Sequence, residues 1–140
     1  MTVNNFNWRP IEPESDILLR DDEFSFQFSA AGHPRLFIRI EKPTDASELR
    51  VSDFLVSNDE IPLAAQAFQH AADKIGIKFA GRCIRASNIS TSSNDADDRQ
   101  AFEAAQTKFS SVLEHMLLIV DDCRLDRSGS RSFDIVLKVL

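Results

Sequence analysis

The residues best suited by type and spacing to chemistry are Ser57-Asn58-Asp59-Glu60-Ile61-Pro62-Leu63, between an apolar run and an amphipathic one. A polar loop entering a helix points backbone amides outward at the positive end of the helix dipole, which is where anions bind. Here the loop has two carboxylates, no glycine and no basic residue, and Pro62 removes one amide. Asn58 or Asp59 can cap a helix, and Pro62 suits its first turn. The same residues are poor ones for holding a phosphate.

Other reactive types are dispersed. Cys83 sits among Arg82, Ile84 and Arg85. Flanking arginines activate a thiol only when they turn toward it, and in a strand the immediate neighbours face away. A structural thiol is the expectation. His33, His70 and His115 lack metal-ligand spacing, and adjacent Glu114 and His115 point apart on a helix. Acid clusters at Asp21-Asp22-Glu23, Asp95 to Asp98 and Asp121-Asp122 border elements, where capping and solubility account for them. With four glycines in the chain, no glycine-rich phosphate cradle forms. Eleven phenylalanines and no tyrosine leave no phenol to act as acid or donor. The sequence nominates no catalytic residue and no metal ligand.

The elements that position these residues follow from periodicity. Residues 1–22 read as an irregular segment, with Ile17-Leu18-Leu19 either a short strand or a helical turn. Phe24, Phe26 and Phe28 alternate with polar residues, a turn follows at Ala30–Pro34, and Leu36, Ile38 and Ile40 alternate again, giving a hairpin. The aromatic face is either core or ligand-facing, and core is the default. Leu49–Val56 is a third strand, with Leu49, Val51, Asp53 and Leu55 on one face and Phe54 and Val56 on the other. Ile61–Ile75 is a helix with a small-residue stripe, stopped by Gly76. Ile77–Ala86 is the next strand, and 87–98 a mobile polar loop. Phe102, Ala105, Phe109, Val112, Leu113, Met116, Leu117 and Val120 keep a helical rhythm. Residues 117–124 read equally as the last helical turn or the start of a strand. A turn at 126–130 leads to a final strand with Phe133, Ile135, Leu137 and Val139 on one face.

The 140 residues fit a single domain over 1–140, with enough apolar material (43%) for a core without staples. A net charge of −6 gives little affinity for nucleic acid or anionic membranes. Cys83 and Cys123 read as free thiols of a reducing compartment, and Met1 to Arg20 has no signal-peptide core, so the expected location is cytoplasmic.

The expected fold class is α/β (α+β), a mixed, mostly antiparallel sheet with two main helices. The order hairpin, strand, helix, strand, helix, strand resembles the GNAT acetyltransferase superfamily without its first two helices. "ELRVSDFLV" resembles that family's fourth strand, "AAQAFQHAADKIG" its third helix, "KFAGRCIRASN" its fifth strand and "FDIVLKVL" its last strand. The resemblance covers roughly residues 24–140. It implies acyl-CoA as cofactor, held by the loop before the helix, and at this chain's positions that would involve Ser57, Asn58, Leu63 and Asn88. The family's Gln/Arg-x-x-Gly-x-Gly/Ala loop is absent here. The expected function is therefore a non-catalytic interaction or regulatory module acting through protein contacts, with a protein partner or self-association and no cofactor. The alternatives are a divergent GNAT-type acyltransferase and a small acidic secretion-type chaperone. A splayed gap between the Leu49–Val56 and Ile77–Ala86 strands would favour a cofactor, and a filled gap would favour contacts.

Overall fold

Alternating apolar residues drive the first part of the chain into strands. The computed structural model describes residues 8–42, 48–89, 98–127 and 133–140. Within it β1 (Arg9–Pro10), β2 (Ile17–Asp21), β3 (Ser25–Ala30), β4 (His33–Glu41) and β5 (Glu48–Leu55) are successive antiparallel neighbours. A 3-10 turn (Asn58–Glu60) and α1 (Ile61–His70) cross over to β6 (Cys83–Ala86), which is parallel to β5. Then come α2 (Asp98–His115), β7 (Val120–Arg127) and β8 (Phe133–Val139). The fold is α+β: an eight-stranded mixed, mostly antiparallel sheet, ordered β1-β2-β3-β4-β5-β6-β8-β7, with two helices packed on it. No described helix is long and apolar enough to cross a membrane.

The N-terminal segment is less irregular than its two prolines suggest. Ile17 and Leu19 are buried, and pairing of β2 with β3 satisfies their backbone, so this piece joins the sheet. Arg9–Pro10 then adds a short edge strand, the position in a sheet that tolerates proline.

β5 departs from plain alternation. Its register on β4 slips by one residue, with Arg39 opposite Asp53 and Ile40 opposite Val51. This bulge rotates the second half of the strand, so Leu49, Val51, Phe54 and Val56 all reach the core. Asp53 and Leu55 are left half-buried on the other side. The expected face assignment fails at Ser52 because an extra residue breaks the period of two.

α1 relaxes into a π turn over Ala71–Ile75 and stops at Gly76, whose φ of 87° the glycine makes inexpensive. The strand expected from Ile77 begins only at Cys83. Ile77 and Phe79 are buried as plugs rather than as ladder residues, and Phe79 meets Phe68 at 5.5 Å. α2 ends at His115, Leu117 takes a φ of 63°, and β7 starts at Val120, so the ambiguous stretch divides into a turn and a strand. Of the polar loop at 87–98, residues 90–97 lie outside the described residues, as do 128–130 of the turn expected at 126–130.

The core is aromatic at its centre. Phe54 meets Phe109 edge-on at 4.8 Å and stacks near Phe68 at 6.4 Å. The aromatic face of the first hairpin is graded: Phe28 is buried, Phe26 half-buried beneath Lys42, and Phe24 is 68% exposed.

Asp22 ties the β2–β3 turn together. Its Oδ1 accepts from the amides of Phe24 (2.7 Å) and Ser25 (2.8 Å), and its Oδ2 from Gln27 Nε2 (2.9 Å). The Phe24 amide first, then the amide and hydroxyl of Ser25 and the charge of Arg39, lower the pKa of its carboxyl against a smaller opposing effect of burial. A depressed folded-state pKa contributes stability above the unfolded value, and that contribution is lost as pH falls through the folded one. Between about pH 5 and pH 3, Asp22→Asn is therefore expected to lose less of its urea midpoint than the wild type. Equal losses would contradict this.

Candidate functional site

The Ser57–Leu63 loop lies where β5 hands over to α1, as the sequence placed it. Its own acid closes it. Glu60 is 6% exposed, its amide donates to the Ser57 carbonyl (2.9 Å), and its carboxylate accepts from the Ser57 amide (3.0 Å). Ser57 Oγ donates to Asp59 (2.7 Å). Ser57 and Glu60 form a capping box at the start of the 3-10 turn, in which the Glu60 carboxylate takes the Ser57 amide and sets a negative charge beside the helix entry that an anion would approach. Ser57 and Asn58 are exposed, and Leu63 packs against the core from a half-buried position.

The gap beside this loop is also filled. β5 and β6 pair from Glu48–Cys83 to Val51–Ala86, and the pairing continues beyond β6. The Ser87 amide donates to Val51 (2.9 Å), the Phe54 amide donates to Asn88 (3.2 Å), and Phe54 bridges Ile89. Asn88, at a φ of 48° that asparagine tolerates, donates through Nδ2 to Asp53. One step further, Lys108 of α2 donates to the Val56 carbonyl at 2.6 Å. Burial lowers the Lys108 pKa, and the nearby Glu60 charge opposes that shift. The four residues nominated for acyl-CoA thus surround a junction whose polar groups serve one another.

The remaining candidates stay apart. His70 is half-buried on α1, and its pKa is lowered, chiefly by burial. His115 Nδ1 lies 2.8 Å from the Ser111 carbonyl. Among the described residues no three His, Cys, Asp or Glu side chains gather in a metal-binding group. Cys123 lies beneath α2, where Gln106 Nε2 donates to its Sγ at 3.1 Å.

Three features carried little sequence signal. Arg85 is a charge hub, 3.1 Å from Asp134, 3.3 Å from Asp126 and 3.6 Å from Glu48. Arg85 is far in sequence from all three, and they share a sheet face through the β5-β6-β8-β7 order. Lys108 looks like an ordinary surface lysine on a helical wheel. The third feature is an apolar end: Leu117 is 91% exposed, Ile119 64% and Leu140 57%, and the Leu140 amide donates to the Ile119 carbonyl. The helical rhythm suggested burial for Leu117, but its φ of 63° turns the chain there and places it outside.

No protein-family profile, curated protein or solved structure matches this chain.

Proposed function

We propose that this protein is a non-catalytic interaction module that works through protein contacts, and that the contact surface is the β7 edge of its sheet. The observation that carries this reading is the exposed apolar group Leu117, Ile119 and Leu140 beside a strand that has, among the described residues, no neighbour on its outer side. An unpaired edge offers a row of backbone donors and acceptors to another strand. The self-closed Ser57–Glu60 loop supports the same reading, since it leaves little for a cofactor to bind.

The occupant is a second copy of the chain. β7 reads Val120-Asp-Asp-Cys-Arg-Leu-Asp-Arg127, whose charges are self-complementary in the antiparallel registers about Cys123 and about Leu125, and the first of these, nearer the middle of the strand, keeps more of β7 paired. Pairing about Cys123 sets Asp122 against Arg124 of the second copy, and symmetry repeats the pair. Pairing about Arg124 sets Asp122 against Asp126 and guanidinium against guanidinium. The bulge between Val120 and Asp122 narrows the choice further, because bulged edges resist indiscriminate pairing. Sedimentation velocity on charge-swapped variants tests this.

A divergent acyltransferase is the second reading, favoured by the parallel β5–β6 pair joined through α1. It requires the Ser57–Leu63 amides to hold a pyrophosphate despite Asp59 and Glu60. Titration of the wild type with acetyl-CoA is expected to give no micromolar binding, and Asp59→Asn/Glu60→Gln is expected not to create it. Micromolar binding by either would replace the contact reading with this one.

A further inference from the structure

The face of the sheet turned away from the helices carries many charges, and most of them are paired. Arg85 holds three carboxylates, Arg50 meets Glu48, Arg20 meets Gln27 and Arg39 meets Ser25. One place differs. A cavity of about 300 Å³ opens over β6, β8 and β7, lined by Gly81, Arg82, Cys83, Asp122, Arg124, Val136, Leu137 and Lys138. Its lining carries three cations and one carboxylate, in a chain whose net charge is −6. Arg124 is engaged by Asp126 at 3.0 Å. Among the described residues, Arg82 and Lys138 have no carboxylate within ion-pair distance. Arg82 Nη1 is buried without any hydrogen-bond acceptor.

A buried donor without an acceptor costs stability, and natural folds rarely leave one without a reason. Arg82 also lines the cavity, so a ligand oxygen that drew its guanidinium forward would remove that cost. The volume is at the small end of ligand sites, and Val136 gives it an apolar floor. Arginine and lysine together suit an oxyanion, the first as a planar fork and the second as a point charge.

We propose that this cavity is a binding site for a small organic oxyanion, a carboxylate or phosphate monoester, taken by Arg82 and Lys138 with its apolar part against Val136. The site lies outside the Ser57–Leu63 junction and does not depend on the β7 contact. In a β7 pair Asp122 faces Arg124 of the second copy, which leaves Arg82 and Lys138 as the cations that meet the ligand.

Cys83 lines the cavity and serves as a reporter for it. In a Cys123→Ser background, the full chain is treated with the anionic disulfide dithiobis(nitrobenzoate) and, separately, with neutral dithiodipyridine. In each case the Cys83 sulfur forms a mixed disulfide, and half of the reagent leaves as a thiolate. Arg82→Gln/Lys138→Gln is expected to slow the anionic reagent about tenfold and the neutral one less than about twofold, the size of a local steering effect. Phenyl phosphate and benzoate are expected to protect Cys83 saturably, and sodium chloride of equal ionic strength is not. Should Arg82→Gln prevent folding, Lys138→Gln alone, at an exposed position, carries the test. Equal slowing of both reagents, or protection no better than that by sodium chloride, would overturn the site. Neither result bears on sedimentation, so the cavity and the β7 contact fail separately.

Discussion

Phe54→Ala is expected to lower stability by about 3–5 kcal/mol, the cost of truncating a fully buried phenylalanine in a packed core. Phe54 is 0% exposed and touches both helices through Phe68 and Phe109. Its amide is also the last firm link between β5 and the segment after β6, through the Asn88 carbonyl. Truncation therefore leaves a void at the seam where α1, α2 and the two parallel strands meet. The loss should not add to that of Phe109→Ala, because the two rings share one edge-to-face contact at 4.8 Å. Urea unfolding of the two single variants and the double measures both effects. A loss below about 1.5 kcal/mol for Phe54→Ala would mean that the seam is not packed as described.

Arg85→Ala is expected to cost about 2–3 kcal/mol, somewhat below the range for breaking a fully buried ion pair. The arginine is 25% exposed, and its partners Asp134 and Asp126 are 14% and 34% exposed. Its removal leaves three carboxylates, Glu48, Asp126 and Asp134, converging without a cation. Repulsion then adds to the lost hydrogen bonds. The pKa of Asp126 is lowered, by Arg124 first and by Arg85 as well, so the part of the loss that passes through Asp126 should fade as pH falls and the gap between variant and wild type should narrow in acid. Arg85→Lys should recover only part of it, because one ammonium cannot replace a fork that donates to two aspartates. Full recovery by lysine would show that only net charge matters here.

Much of this architecture could be read in the chain before folding. The hairpin of β3 and β4, the stop at Gly76 and the last strand each carry a local signal, and local signals survive folding. The cap expected at Asn58 or Asp59 falls instead at Ser57 for the 3-10 turn and at Glu60 for α1, because the extra 3-10 turn shifts the entry. Where the reading failed, the deciding contact was distant. The bulge at Ser52 depends on the match between β5 and β4, which no period in one strand reveals. Ile77 and Phe79 look like strand residues because alternating burial is shared by strands and plugs. The turn at Leu117 hides behind an apolar run that continues the helical rhythm for residues that end up exposed. At the candidate site, Asp59, Glu60 and Pro62 already argued against an anion. The lock that Lys108 places on Val56 came from 52 residues away in sequence and gave no sign.

The β7 edge and its charges are the centre of the proposed function, and sedimentation velocity over a concentration series tests them most directly. The wild type is expected to associate into a dimer as concentration rises. Arg124→Asp, which would set aspartate against aspartate across the pair, is expected to remain monomeric while retaining its fold by circular dichroism. Asp122→Arg/Arg124→Asp exchanges the two signs and is expected to restore the dimer. A wild type that stays monomeric at every concentration, or a double variant no better than the single one, would contradict the account.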